Sequence, residues 1–381
     1  MTQWALVVLN DILQPRTEIY APTSLLDKSI RMISKIRFSD GEMEFRTDCA
    51  SKTTLISIQH GDIVISGINA LKGAVALNTK NDSRPLFATI HYSAYGIKLE
   101  RADPRFLWYL LRSRKFMDSV EKQVPNGIKT ELKPKRLLNI EILLPDIAEQ
   151  RLIVSRLDHA ARLILDADDL NRKAVEAQEE FLFSLISEIA KEAPRLPLKE
   201  VAPIIRRKVE IEKDTEYSEL GIRSFGKGTF HKPAIIGAEL GSKRIYRIEP
   251  GDLMFSNVFA WEGAIAIAQP ADKNRFGSHR FITCLPDTSK ALPEYLRTWF
   301  LSSEGMAEIR AASPGAAGRN KTLNLKKLEA IQVPIPDITK QRRFSDVYAR
   351  VQAARKLNTQ TAAELDTLMP AVLDKAFKGE L

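Results

Sequence analysis

The strongest constraint on this chain is that much of it is written twice, about 190 residues apart. Ile140-Glu-Ile-Leu-Leu-Pro-Asp-Ile-Ala-Glu-Gln-Arg151 returns as Ile331-Gln-Val-Pro-Ile-Pro-Asp-Ile-Thr-Lys-Gln-Arg342, a shift of 191. Gly61-Asp-Ile-Val-Ile-Ser66 returns as Gly251-Asp-Leu-Met-Phe-Ser256, and Gly73-Ala74 as Gly263-Ala264, both shifted by 190. Leu9-Asn-Asp-Ile12 is echoed by Leu198-Lys-Glu-Val201 at a shift of 189. A chain that repeats itself at this period folds into two similar modules, and two similar modules on one polypeptide suit a target with two parts.

The 381 residues suffice for two ordinary cores plus connecting structure. Mean hydropathy of -0.20 is that of a globular chain, and no apolar run approaches the roughly 20 residues a membrane span needs. The amino terminus has no basic n-region and Asn10-Asp11 breaks its apolar run, so no signal peptide is expected. Cys49 and Cys284 cannot make a disulfide framework or a cysteine zinc site. A cytoplasmic protein that does not meet a membrane is expected.

The net charge of +9 is unevenly placed. Residues 1–145 carry 21 Lys/Arg against 15 Asp/Glu, and residues 191–336 carry 23 against 17, so each is +6. The segment 146–190 has 5 against 10, net -5, and 337–381 has 8 against 6, net +2. A basic surface on each long segment is what binding to a phosphate backbone requires.

The two shorter segments read as long helices. Each opens with Pro-Asp, where Asp146 and Asp337 serve as N-caps, and Glu149 completes a capping box that Lys340 leaves incomplete in the second copy. Apolar residues then recur every three or four positions. The first stripe runs through Ile153, Leu157, Ala160, Ile164, Ala167, Leu170, Ala174, Ala177, Phe181 and Leu185. The second runs through Phe344, Val347, Val351, Ala354, Leu357, Thr361, Leu365, Leu368 and Val372, with a kink expected at Pro370. Helices of about 40 residues span on the order of 60 Å. Each could fold back on its own module, but their length favours packing against one another.

The long segments read as mixed α/β. Thr53–Ile58, Asp62–Ser66 and Leu253–Ser256 have the pattern of short strands, and Phe106–Leu111 and Tyr295–Phe300, each behind a proline, that of matching helices. The fold class expected is α+β. Two similar mixed modules at 1–144 and 192–335 alternate with helices at 145–191 and 336–381.

Catalytic motifs are missing. Gly221-Ile-Arg-Ser-Phe-Gly-Lys227-Gly228 falls short of a P-loop, because Gly228 stands where a magnesium-holding hydroxyl belongs. Glu131-Leu-Lys133 matches the Glu-x-Lys of nucleases, yet no Pro-Asp precedes it suitably, and it reads as the start of a helix. His60, His91, His159, His231 and His279 lack metal spacing, and neither an Asn-Pro-Pro-aromatic motif nor a glycine-rich cofactor turn is present. No catalytic or metal-ligating residue is expected.

The repeat, the Pro-Asp-Ile-Ala-Glu-Gln-Arg helix start and the closing Val372-Leu-Asp-Lys-Ala-Phe-Lys-Gly-Glu-Leu381 together resemble the specificity subunit of type I restriction–modification systems. Leu143, where Pro334 stands in the second copy, and Lys340 depart from the pattern. The resemblance covers the whole chain. It implies two target-recognition domains joined by spacer helices that pair as an antiparallel coiled coil, with a pseudo-two-fold internal repeat. It implies as partners double-stranded DNA, two methyltransferase subunits that use S-adenosylmethionine and flip an adenine, and a translocating nuclease subunit. This chain itself would bind no cofactor.

On that reading each module docks on half of an asymmetric bipartite site, and the helix pair is a ruler of at most roughly 17 base pairs. Three groups are candidate DNA contacts. The loops before the long helices offer Asn126, Lys129, Arg319, Asn320 and Lys321. A basic stretch offers Arg223, Lys227, His231 and Lys232, with Phe225 and Phe230 interleaved. The third group is Asn274, Arg275, Ser278, His279 and Arg280, with Tyr92 and Ser93 near the corresponding place in the first module. Taken singly, an exposed Lys or Arg more often serves solubility alone. The acidic residues Asp166, Asp168, Asp169, Glu176, Glu179 and Glu180 on the first helix are either a docking surface or a solvated face. Three other readings are a specificity subunit of a fused methyltransferase–nuclease, a coiled-coil scaffold without DNA, and a lone DNA-modifying enzyme. The charge division argues against the scaffold and the missing motifs against the enzyme.

Overall fold

The computed structural model describes residues 4–22, 29–48, 51–80, 82–123, 131–241, 243–315 and 321–380. It divides into two compact units, Met1–Leu170 with Thr361–Leu381, and Asn171–Gln360. The divisions fall inside both long helices, so each unit contains one globular module and part of each helix.

The first unit begins with β1 (Ala5–Val8), β2 (Leu13–Pro15), β3 (Ile19–Tyr20), β4 (Arg31–Ile36), β5 (Met43–Phe45) and β6 (Leu55–Ile58). It continues with β7 (Ile63–Ser66), β8 (Val75–Leu77), β9 (Leu86–Thr89) and β10 (Tyr92–Ile97). Helices α1 (Pro104–Leu110), α2 (Arg114–Gln123) and α3 (Pro134–Leu138) precede β11 (Glu141–Leu144) and the long helix α4 (Ile147–Ala190).

The second unit repeats this order. Its strands are β12 (Arg195–Pro197), β13 (Ile204–Ile205), β14 (Lys208–Val209), β15 (Glu216–Ile222), β16 (Thr229–Ile236) and β17 (Ile245–Arg247). Then come β18 (Leu253–Ser256), β19 (Ile265–Ile267), β20 (Phe276–Ser278) and β21 (Phe281–Cys284). Helices α5 (Pro293–Leu301), α6 (Ser303–Ala311) and α7 (Leu325–Ala330) lead to β22 (Gln332–Pro334) and α8 (Ile338–Lys378).

Strand pairing repeats with equal fidelity. The first module forms β1-β11, β2-β10-β7-β8 and β3-β6-β9-β4-β5, and the second forms β12-β22, β13-β21-β18-β19 and β14-β17-β20-β15-β16. Each five-stranded sheet has one parallel neighbour pair, β4 with β9 and β15 with β20. The expected α+β class and the duplication both hold at the level of individual ladders.

The repeated Gly-Asp-(apolar)3-Ser segment becomes the buried strand β7 or β18. Ile63 and Ile65 join the core that carries Phe106 and Leu107 of α1, while Val64 points into a second core with Ile33, Ile58 and Ala88. Leu253 and Phe255 likewise face Tyr295 and Trp299 of α5, and Met254 faces Leu220 and Phe281. A strand covered on both faces needs an unbroken apolar run, and both copies of the segment have one. Its aspartate is buried too. Asp62 accepts hydrogen bonds from Arg16 and from the Gln59 backbone N–H, and Asp252 accepts from Arg207 and the Glu249 N–H. The repeated glycine at 73 and 263 closes a 3-10 turn at φ of 74° and 78°, a left-handed conformation that disfavours a side chain.

Each long helix is capped as expected: Asp146 Oδ1 accepts from Glu149 N at 2.8 Å, and Asp337 Oδ1 from Thr339 N at 2.8 Å. The Glu149 carboxylate also accepts from Trp4 Nε1 at 3.0 Å. α4 has 44 residues and α8 has 41, and α8 continues through Pro370. In the first unit Ile153 and Leu157 of α4 pack in one cluster with Leu373, Ala376 and Phe377 of α8. In the second, Leu182, Ile186 and Ala190 pack with Phe344 and Val351. The start of each helix meets the end of the other, so the pairing is antiparallel.

The apolar stripes need correction in their middle. Leu170, Phe181 and Leu357 are 67%, 52% and 65% exposed. One residue along, Asn171 and Asn358 face each other instead: Asn171 Nδ2 donates to Asn358 O at 3.0 Å, and Asn358 Nδ2 to Asn171 Oδ1 at 2.7 Å. Gln178 Nε2 adds a 3.3 Å bond to Asn358 Oδ1. A search for apolar periodicity passes over a polar seam and settles on the neighbouring, exposed column. A further correction concerns Glu131–Lys133, which lies outside the helix; α3 begins at Pro134.

Candidate nucleic-acid interface

The second module's five-stranded sheet ends in its longest strand. β16 is an edge, and Pro233 fits there because an outer strand can do without one ladder N–H. β15 and β16 form a hairpin over residues 216–236 whose register shifts between Ser218 and Leu220. At its tip Phe225 has φ of 60°, a strained value for a residue with a side chain, and is 71% exposed. Backbone bonds from Phe225 N to Glu262 O and Gly226 N to Gly263 O, both 2.8 Å, hold the tip. Arg297 of α5 donates to Gly226 O at 2.6 Å.

Along this edge the two predicted groups meet. Asp272, only 2% exposed, accepts from Thr229 Oγ1 at 3.0 Å and from the Gln269 N–H at 2.9 Å, and pairs with His231 Nε2 at 2.9 Å. The buried carboxylate thereby fixes which ring nitrogen of His231 faces it. Arg275 Nη1 reaches Lys232 O at 3.4 Å, and Lys232 pairs with Glu219 at 3.5 Å. Asn274, next to them, adopts a left-handed φ of 63°. Arg223 donates to Thr229 O at 2.6 Å and lies over the Phe230 ring, while Lys227 lies 6.0 Å from the Phe225 ring.

His279 and Arg280 form the turn between β20, which ends at Ser278, and β21. Ser278 Oγ accepts from Arg280 N, and His279 O from Arg206 Nη1 at 3.4 Å. Burial pushes the Arg206 guanidinium below its usual value, and it stacks on Tyr246 at 4.7 Å. Lys321 stands elsewhere, 4.8 Å over the Trp261 ring, beside an open cleft of about 500 Å³ that Phe225, Trp261, Met306 and Arg310 help to line. Asn126, Lys129, Arg319 and Asn320 lie outside the described residues. Among the described residues there is no cluster of three or more His, Cys, Asp or Glu side chains suited to a metal, and no helix long and apolar enough to cross a membrane.

The first-module candidates lie beside the counterpart of the basic turn, at the start of the strand that follows it. Tyr92 pairs in register with Ser66 as Phe281 does with Ser256, so Tyr92 and Ser93 match Phe281 and Ile282 rather than the basic turn. Tyr92 is half-buried, donates to Ser34 O at 3.3 Å, and burial raises its phenol pKa. The counterpart of Arg280 is His91, since Gly67 N donates to His91 O as Asn257 N does to Arg280 O. His91 pairs with Glu131 at 3.5 Å.

On the acidic helix, Asp166, Asp168, Glu176 and Glu180 are exposed, Asp169 is half-buried, and Glu179 approaches Arg355 of α8 at 3.9 Å.

No family model matches the chain. Over 100 residues it is 35% identical to the specificity subunit of the type I restriction enzyme EcoBI of Escherichia coli, a stretch covering 25% of this chain and 21% of that one. Over 186 residues it is 24% identical to the MjaVIII specificity subunit of Methanocaldococcus jannaschii, covering 46% and 43%. The chain thus spans less than half the length of the curated relatives it matches. A chain from a structure on complex assembly and conformational transition of the type I R-M system superposes with a TM-score of 0.71 at 21% identity, covering 100% of this chain and 99% of that one. The crystal structure of the HsdS subunit from Thermoanaerobacter tengcongensis gives 0.56 at 20% identity, covering 100% and 98%.

This is the fold of a type I specificity subunit.

Within that fold, further basic groups that the sequence did not single out stand beside the candidates: His91 and Arg206, and Arg31 and Arg84, the last two pairing with Asp82 at 3.1 and 3.0 Å. The signal for His91 was present, because a shift of 189, already seen at Leu9 and Leu198, carries it onto Arg280. The C-terminal segment packs into the core of the first unit. Phe377 is buried at 1% exposure against Phe106, with 5.5 Å between ring centres.

Proposed function

We propose that this chain is the DNA-reading subunit of a type I restriction–modification assembly, and that it performs no chemistry itself. The observation that carries this reading is a module of eleven described strands built twice in the same order, with different polar groups on its five-stranded sheet. A shared frame places each module on duplex DNA through phosphate contacts, and the differing groups read differing half-sites. The target is therefore bipartite and asymmetric. The domain limits of this reading are 1–144 and 192–335 for recognition, and 145–191 and 336–381 for the spacers.

The second module contacts DNA through Arg223, Lys227, His231, Lys232, Asn274, Arg275, Ser278, His279 and Arg280, to which Arg206 is added. The first uses His91, Arg84 and the neighbourhood of Tyr92 and Ser93. The loop residues Asn126, Lys129, Arg319, Asn320 and Lys321 complete the set. Two methyltransferase subunits supply S-adenosylmethionine and the base-flipping pocket, and a nuclease subunit supplies cleavage, in the cytoplasm.

Co-purification with the products of neighbouring genes, salt-dependent binding to random duplexes and methylation mapping test this. Affinity that falls steeply with salt and an interrupted, asymmetric methylated motif are expected. A flat salt response with no bipartite motif would overturn it.

A further inference from the structure

Two glutamines in equivalent places are wholly buried and fully engaged. Gln150 and Gln341, fifth in the repeated Pro-Asp-Ile-x-x-Gln-Arg counted from the Asp, are both 0% exposed. Gln150 Oε1 accepts from Asp103 N at 2.7 Å, and its Nε2 donates to Arg101 O at 3.1 Å and Pro145 O at 2.9 Å. Gln341 Oε1 accepts from Leu292 N at 2.9 Å, and its Nε2 donates to Lys290 O and Pro336 O, both at 2.9 Å.

The two sets of bonds are the same. Asp103 and Leu292 are the N-cap residues of α1 and α5, and Pro145 and Pro336 stand just before the long helices. Each amide therefore joins three segments of its own unit: the loop into the module's first helix, the end of the module, and the first turn of the long helix. All six partners are backbone atoms, so the joint survives any change of side chains around it. Only glutamine does this. Glutamate lacks the two N–H donors, asparagine is one methylene too short, and methionine or leucine fills the space without bonding.

A buried amide carries a desolvation cost that an apolar side chain of similar volume avoids. Keeping two of them, with identical bonds, points to a demand for fixed geometry rather than cohesion alone. In DNA, one added base pair moves the next half-site by about 3.4 Å and turns it by roughly 34°. A module that rocks on its helix would accept both spacings.

We infer that Gln150 and Gln341 are positioning residues that weld each recognition module to its long helix at a fixed angle and so restrict the assembly to one half-site spacing. This rests on the DNA-reading function proposed above.

The test uses the chain assembled with its methyltransferase partners and a duplex library carrying both half-sites at graded spacings. Wild type should methylate one spacing at least about tenfold better than spacings one pair longer or shorter. Gln150→Met and Gln341→Met, confirmed as folded by circular dichroism, should keep both half-site sequences while this preference falls to about threefold or less. Gln150→Asn and Gln341→Asn, which keep the amide but shorten it, should relax spacing in the same way and stand in wherever a Met variant fails to fold. Folded variants with unchanged spacing preference, or with relaxed half-site sequence instead, would overturn the inference. Wild type giving no bipartite motif would overturn the DNA-reading function itself, and the inference with it.

Discussion

In the first module Asp82 holds two arginines; in the second, Asp272, 190 residues on and likewise four before the matching strand, holds a histidine and a threonine. Asp82 pairs with Arg31 at 3.1 Å and Arg84 at 3.0 Å, while Asp272 takes His231 and Thr229. The strand position opposite the start of β9 or β20 carries Arg31 in one copy and Glu219 in the other. Around these sites, by contrast, the frame is invariant: Arg16–Asp62 matches Arg207–Asp252, and Gln150 matches Gln341. Duplication preserved the groups that hold the module together. At one position of the five-stranded sheet it let the charge change sign, as two different half-sites would demand.

The largest effect should come from the frame, and equally from both copies. Arg16→Met and Arg207→Met each strand a buried carboxylate and should cost about 3 kcal/mol in urea unfolding. A module that tolerates the change would break the equivalence.

Next come the helices. Asn171→Leu alone leaves Asn358 half-satisfied and should cost about 2 kcal/mol, with the double Asn171→Leu, Asn358→Leu variant recovering part of it, since Gln178 then loses its acceptor. Additive losses would deny the coupling.

Third, Asp272→Asn should destabilise by about 1 kcal/mol and weaken only the half-site read by the second module, as measured with duplexes mutated in one half. Loss at both halves would refute the separation. Smaller again, Arg280→Ala should lower the slope of log affinity against log salt by about one, with little effect on sequence preference.

The smallest effect is in pH. The Arg84 guanidinium, followed by its backbone N–H, holds the Asp82 carboxyl at about 2, below its ordinary 3.8. Its contribution is complete above the ordinary value and lost as pH falls through about 2. Titration of the Asp82 carboxyl by NMR should reproduce this, and Arg84→Ala should return it toward the ordinary value.

Much of this was legible in the sequence where physics leaves a periodic mark. The run Ile63-Val-Ile reads as a strand because both its faces are covered, and Asp146 and Asp337 announce helix starts because the first turn needs an acceptor. The seam at Asn171 and Asn358 was not legible, because an apolar stripe is the only signal a periodicity search weighs and this seam is polar at its middle. The arginine clamp on Asp62 and the equivalence of His91 with Arg280 depend on contacts between distant segments, which spacing along the chain does not encode. The basic candidates of the second module stand out in the sequence because they cluster locally in a loop-rich stretch. In the first module Arg84 and its neighbour Arg31 are 53 residues apart in sequence and both pair with Asp82.

The most direct test that one frame carries two independent readers is methylation mapping in cells that express this chain with the proposed methyltransferase partners. Wild type should give one interrupted motif with unlike halves, His231→Ala should degrade one half, and Arg84→Ala should degrade the other, with their separation unchanged. A single contiguous motif, or one substitution that degrades both halves, would contradict the account.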